Sequence, residues 1–454
     1  MLETSPRSAL LRNTLGAVLL AASFQGPALA ADAPAPLRAP RVDYHQHLLS
    51  PEAARRDEEK PLPAIELPAD LSRLLQRREQ GWDDKAALAD LYTEDSLLLD
   101  HDEHTWLHGR DAVTTYIGGR FARPYRITPV SYSLDGNLGT IVGYFTRGEG
   151  ASSKHFGNVH LSLKKGSDGA WRIAAESPTF PGPVVREPLD AKQLVALLDE
   201  AGIERAVVLS TAYWFGSPLG KPVEDEHAKV KAENDWTAQQ VALYPKRLVG
   251  FCSFNPLKDY AVEELERCSK DLHLVGLKLH FGNSGVDVKN PEHVEKLKQV
   301  FRAANRLRMP ITAHLWTLDK AYGQKDAEIF LSQILPEAPD VPVQIAHMAG
   351  AGPGYNTDAA MKVYADAVEA GDPRTKNLYF DVATVITPNT SAEEAALVVQ
   401  RMRQVGIQRI LYGSDSAFGG NLTPRQNWGA FRGMLPLTDA EFQTIERNVM
   451  PYLR

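Results

Sequence analysis

Cysteine is scarce: the 454 residues contain only Cys252 and Cys268. Neither has neighbours that resemble a nucleophile or metal motif. Positive charge is not in surplus, since 50 Lys and Arg face 57 Asp and Glu, for a net charge of -7. The basic footprint that phosphate backbones require is therefore missing, and no nucleic-acid partner is expected. Gly at 33 and Pro at 30 are ordinary counts, no internal repeat is visible, and no low-complexity class applies. Beyond the first thirty residues no apolar run is long enough to span a bilayer. What is present, 43% hydrophobic and 24% charged residues, is globular composition, which excludes disordered, fibrous and polytopic membrane classes.

The N-terminus has its own logic. Arg7 and Arg12 precede an apolar stretch at 14–24, and Ala28-Leu29-Ala30 supplies a small-x-small cleavage pattern. That stretch is shorter than the roughly 20 residues of a spanning helix, so residues 1–30 read as a cleaved secretory signal and 31–40 as a stiff linker. The expected location is the periplasm or outside the cell, with no stable membrane insertion after cleavage. Such a compartment permits disulfides. Cys252 lies in an apolar strand-like stretch and Cys268 in a helical one, so both read as buried hydrophobes, with a disulfide as the alternative.

Two patterns divide the rest. From about 186 onward, short apolar runs at 205–212, 247–254, 274–280, 309–315, 342–348, 377–383 and 409–415 alternate with amphipathic helical stretches. Continuous apolar strands between helices predict a parallel sheet covered on both faces. An eighth strand is supplied by 41–47, which completes a TIM-like (β/α)8 barrel in an α/β chain. The barrel then occupies 41–63 and 184–454. Residues 64–183 read as an inserted α+β domain: helical patterning over 69–80, 84–95 and 110–120, then strands at 125–134, 138–147, 154–165 and 170–178. Asp135-Gly136-Asn137 and Gly166-Ser167-Asp168-Gly169 are the hairpin turns.

The chemistry sits at strand ends. His45 and His47 are two apart on the first strand and so share a face. His314, His347 and Asp415 end the fifth, sixth and eighth barrel strands. Residues at these ends converge on one cavity, and five together suggest a metal site. Lys278 and His280 share a face of the fourth strand. Tyr213, Trp214 and Trp316 either wall the pocket or pack the barrel rim. Glu233-Asn234-Asp235-Trp236 is better explained by packing or capping. His101, His104 and His108 lack a spacing that would make a second metal site. His155 and His160, five apart, should face opposite ways.

Asp43-Tyr44-His45-Gln46-His47, Gly276-Leu277-Lys278-Leu279-His280, Thr312-Ala313-His314, Ile345-Ala346-His347-Met348-Ala349-Gly350 and Leu411-Tyr412-Gly413-Ser414-Asp415 together resemble the amidohydrolase-related metal-dependent hydrolases of the amidohydrolase superfamily. Leu91–Asp95, His108–Val113 and Trp171-Arg172-Ile173 resemble the nuclear-transport-factor-two-like or SnoaL-like cone fold. In binuclear members of the superfamily a strand-four lysine is carboxylated to bridge two metals; the Lys278 context looks like the mononuclear members. The resemblance agrees with the chemistry in implying one divalent ion, Zn²⁺ or else Mn²⁺ or Fe²⁺, on His45, His47, His314 and Asp415. Asp415 would also move the proton of a metal-bound water, and His347 would orient that water or polarise a carbonyl. Lys278, His280, Trp316 and Tyr213 would contact a small-molecule substrate. The expected reaction is hydrolysis of an amide, lactone or ester-like bond. Decarboxylation on the same barrel, or non-catalytic binding of a small ligand, are the alternatives, and a homo-oligomer is possible.

Overall fold

The computed structural model describes residues 39–453, apart from 56–61, 83, 101–104, 121–124, 148–153, 180–186, 221, 388 and 417–420. The signal and linker read at 1–30 and 31–40, His101 and His104 lie outside the described residues, save for 39 and 40.

β1 (Val42–Gln46) opens the barrel. The chain then leaves it for β2 (Tyr92–Asp100), β3 (Thr105–His108), β4 (Arg126–Asp135), β5 (Leu138–Arg147), β6 (Lys154–Lys165) and β7 (Trp171–Thr179). It returns through β8 (Arg205–Leu209), β9 (Leu248–Ser253), β10 (Gly276–His280), β11 (Ile311–His314), β12 (Val343–Ile345), β13 (Leu378–Asp381) and β14 (Ile410–Leu411). β1 and β8 to β14 pair in sequence order, all parallel. The ends meet: Tyr44 N–H donates to the Tyr412 carbonyl and Asp415 N–H to the His45 carbonyl, each at 2.8 Å. The result is a closed (β/α)8 barrel.

Local chemistry starts and stops the covering helices. Asp190 and Gln193 form a reciprocal capping box before Ala191–Ala201, and Gly202, at φ 72°, ends that helix in the left-handed region. Asn290 caps Pro291–Arg306 with proline at its first position, and Ser391 with Glu394 caps Ala392–Val405. Strands such as β8 and β9 are mostly apolar because both faces are buried.

The inserted segment forms a six-stranded sheet in the order β3-β2-β7-β6-β5-β4, with its own core of Leu71, Leu74, Ile117, Ile141, Leu161 and Ile173 among others. One sequence expectation fails here. The helical reading of 84–95 holds only for Lys85–Ala89, and Tyr92 begins a strand; β3 was not anticipated. Tertiary pairing overrides the local pattern: β2 runs parallel to β7 through a register irregularity between Tyr92 and Leu97. Polar Thr93-Glu94-Asp95 spans that irregularity and hides the alternation.

The interior of this domain holds a buried ion pair. Arg78 donates to Glu176 Oε1 at 2.5 Å, to the Tyr92 hydroxyl at 2.9 Å and to the Tyr125 hydroxyl at 2.8 Å. Tyr92 in turn donates to Glu176 Oε2 at 2.7 Å. All four residues are buried.

Candidate metal centre

The C-terminal ends of β1 and β10 to β14 gather the predicted residues. His45, His47, His314, His347 and Lys278 are all at most 6% exposed. Ring centroids lie 5.3 Å apart for His45 and His47, 4.7 Å for His45 and His347, and 4.8 Å for His314 and His347.

A neutral histidine's tautomer follows from the partner of its other nitrogen. His45 Nδ1 lies 3.0 Å from Asp381 Oδ2, His47 Nδ1 2.7 Å from the Leu209 carbonyl, and His347 Nδ1 2.7 Å from the Ala383 carbonyl. Each partner only accepts, so each Nδ1 carries the proton and each Nε2 keeps its lone pair. Outer partners of this kind orient imidazole ligands around a cation. Burial, with Lys278 next, pushes His45 down to about 3, so the ring stays neutral.

One nitrogen each of His45 and His347 and one carboxylate oxygen of Asp415 lie within 4.8 Å of one another. His47 Nε2 stands 3.5 Å from Asp415 Oδ1. His314 Nε2 and Asp415 Oδ1 are buried without hydrogen-bond partners. Neutral nitrogen donors, a carboxylate and unpartnered buried atoms fit a divalent cation. The grouping differs from the expected ligand set in its emphasis. His347, expected beside the ion, falls within the closest group, whereas His314 lies outside it and stacks on His280 at 3.9 Å.

Lys278 Nζ donates to His45 Nε2 at 3.1 Å. Burial lowers the Lys278 ammonium to about 8, against the pull of Asp381 and Asp415. Burial also raises the Asp415 carboxyl to about 8.

Two supporting acids escaped the sequence analysis. Asp381 accepts from His45 Nδ1, from Gln344 at 2.6 Å, and from the N–H groups of His347 at 2.9 Å and Ala383 at 3.1 Å. Burial alone would raise it, but His45 and these donors hold it below the usual carboxylate range. Asp43 accepts from Gln46 and the Ser414 hydroxyl, both at 2.7 Å, and from the N–H groups of His45 and Ser414, both at 3.1 Å. It thereby ties the first strand to the loop that carries Asp415. The available signal was an acid inside an apolar strand, which must find donors.

Backbone strain concentrates here. His347, Met348, Ala349, Thr384 and Asp415 have φ of 53°, 48°, 68°, 52° and 51°. Each costs about 1–3 kcal/mol and persists only where the surroundings enforce it. These turns also shorten the strands: β12 ends two residues before His347 and β14 four before Asp415, not at the residues themselves. Gly413 lets the last strand approach the first, since a Cβ there would lie 2.7 Å from His45 Cβ. Gly413→Ala is expected to lower metal content and activity at least tenfold, as elemental analysis and kinetics would show, because about 1 Å of misplacement is costly at such a site. Unchanged metal content and kinetics would refute the close-approach argument.

Of the residues expected to contact a substrate, the His280 ring lies 5.0 Å from Tyr213, and Tyr213 lies 6.2 Å from Trp214. Trp316 is half-buried beside Gly282, the second residue after His280. Other candidates separate from the centre. Glu233 accepts from Ser50 and Thr211, and Asn234 exchanges hydrogen bonds with the Ser253 backbone, which locks the helix Glu226–Ala242 onto β9. His108 pairs across β2 on an exposed strand end, His155 stacks on Tyr144, and His160 is exposed. Cys252 and Cys268 are buried and free.

No curated protein matches the chain. Among solved structures it is similar to a 2,6-dihydroxybenzoate decarboxylase complexed with 2,6-dihydroxybenzoate (17% identity, 57% of this chain and 86% of that one, TM-score 0.41). It is also similar to 5-carboxyvanillate decarboxylase from Sphingomonas paucimobilis (16%, 56% and 79%, TM-score 0.40). A third is a dihydroxybenzoic acid decarboxylase from Polaromonas with bound manganese and 2-nitroresorcinol (20%, 56% and 82%, TM-score 0.39). The family model described as amidohydrolase matches residues 180–448, more than half the chain and all the barrel after β1 except its last few residues, and the chain belongs to that family.

Proposed function

We propose that the protein is a metal-dependent enzyme that decarboxylates a small planar organic acid. The observation that carries this reading is Lys278, an ammonium only 1% exposed, packed against His45 in the histidine cluster. A buried cation is better matched to a carboxylate substrate than to a neutral amide. His45, His47, His347 and Asp415 would hold one divalent ion, with His314 beside them; Zn²⁺, Mn²⁺ and Fe²⁺ all suit these donors. When bound, such an ion supplies Lewis-acid charge stabilisation. The residues do the rest. Lys278 would hold the carboxylate, while Tyr213, Trp316 and His280 hold the flat body of the substrate. As CO₂ leaves, its bonding electron pair stays on the substrate carbon, which takes a proton; Asp415 is the acid placed to give it.

Hydrolysis is the second reading, favoured by the unpartnered Asp415 Oδ1, which would accept a proton from water. The test is elemental analysis of the mature protein, then a panel of aromatic carboxylates, lactones and amides. We expect one equivalent of metal and CO₂ release. A ring-opened or amide-cleaved product without CO₂ would establish hydrolysis instead.

Lys278→Met is expected to keep the metal and to raise KM or lower kcat at least tenfold. Loss of metal in this variant would instead favour a carboxylated, bridging lysine. We also read the inserted domain as a SnoaL-like cone, and the leader as an export signal to the periplasm or beyond. Arg78 and Glu176, buried and bonded to each other, occupy part of the interior of the insertion, which argues against a ligand binding at that point.

A further inference from the structure

The histidines of the centre do not all carry their protons on the same nitrogen. For His45, His47 and His347 the Nδ1–H is given to an acceptor. For His280 the relation is reversed: the backbone N–H of Asn283 donates to His280 Nδ1 at 3.2 Å. A backbone N–H has no lone pair to offer, so Nδ1 must be the unprotonated nitrogen and the neutral ring carries its hydrogen on Nε2. The tight turn Phe281–Ser284, which follows β10 directly and ends at Gly285 (φ 66°), enforces this geometry. His280 is partly exposed, unlike the ligand-type histidines, and its Nε2 has no protein partner among the described residues. Stacking on His314 at 3.9 Å and 19°, together with Tyr213 at 5.0 Å, holds the plane of the ring.

We infer that His280 is the pocket's fixed hydrogen-bond donor, whose Nε2–H positions an acceptor oxygen of a planar carboxylic acid while the ring stays neutral. A neutral imidazole whose other nitrogen is pinned by the backbone donates without giving up its proton, and so polarises an oxygen without competing for metal. The division of labour is physical: a ring whose Nε2 bears hydrogen cannot ligate through that atom, and a ring whose Nε2 is a lone pair cannot donate from it. This inference rests on the proposed substrate class, and its test separates the two.

The tautomer is read directly by NMR of the metal-loaded protein with ring-¹⁵N histidine, using His280→Gln to assign the resonance. The expected result is hydrogen on Nε2 for His280; a protonated Nδ1 with a bare Nε2 overturns the inference. Calorimetric titration with benzoate as the probe gives the second readout. His280→Phe keeps a flat ring without the donor and is expected to weaken benzoate at least tenfold with metal content unchanged. His280→Gln, which retains an N–H, is expected to recover part of that loss. Benzoate bound by the native protein, but no more tightly than by His280→Phe, overturns the inference; benzoate bound by neither, with the Nε2–H tautomer in place, counts against the substrate class and leaves the donor standing. A protein that takes up no divalent cation, yet shows the Nε2–H tautomer and the same tenfold loss, supports the donor and counts against the metal reading alone.

Discussion

Asp415→Asn, compared with the native protein at equal metal loading, should reduce turnover by roughly 10²–10⁴-fold while leaving the fold in place, the range expected when a positioned proton-transfer group is removed. The backbone at Asp415 is held independently of its carboxylate: its N–H donates to the His45 carbonyl and its carbonyl accepts from Asn421 at 2.6 Å. Its φ of 51° lies where asparagine is among the best-tolerated residues, so the substitution adds little strain. The amide matches the carboxylate in shape but cannot exchange the proton. The measurement is kcat and KM on the first substrate found, with melting temperature and metal equivalents recorded on the same preparation. Activity within tenfold of the native protein at full metal loading would remove Asp415 from the chemistry and leave it, at most, as a ligand.

Arg78→Met should cost the inserted domain about 3–5 kcal/mol, because it strands Glu176 as a buried carboxylate without its cation. Only the Tyr92 hydroxyl would remain as a donor to Glu176 among the contacts now seen. Replacing both charges, Arg78→Met with Glu176→Met, should return most of that loss, since removing a buried ion pair altogether is often near neutral. The aliphatic replacement also preserves some packing against Tyr125 and Phe145, whose ring centroids now lie 5.0 and 5.9 Å from the guanidinium. Denaturant unfolding, followed by a probe within this domain, measures both variants. A single substitution costing less than about 1 kcal/mol would show that water reaches Glu176, and would reopen the cone as a ligand cavity.

The parts of the barrel that were legible in the sequence were those set by short-range physics. Strands buried on both faces are mostly apolar, so β8 to β13 stood out against the amphipathic helices between them. Histidines two apart in extended chain share a face, and His45 on β1 and His47, one residue past its end, lie with ring centroids 5.3 Å apart. Elements defined by distant partners were harder to read. β14 is only two residues long, and β2 was obscured by the irregularity that joins it to β7. Asp43 and Asp381 carried a signal, a charge within an apolar run, but not the identity of their donors.

By itself the amino-acid order determined which side chains stand at strand ends and how many neutral nitrogens and acids could meet there. The tertiary structure alone decided which nitrogen of the His45, His47 and His347 rings is free. His45 takes its Nδ1 partner from a residue 336 positions away and His47 from one 162 away, whereas His280 takes its own from three residues along the chain. A ring's tautomer depends on the acceptor or donor facing its other nitrogen; a local turn supplies that group to His280, but only the folded barrel supplies it to His45, His47 and His347.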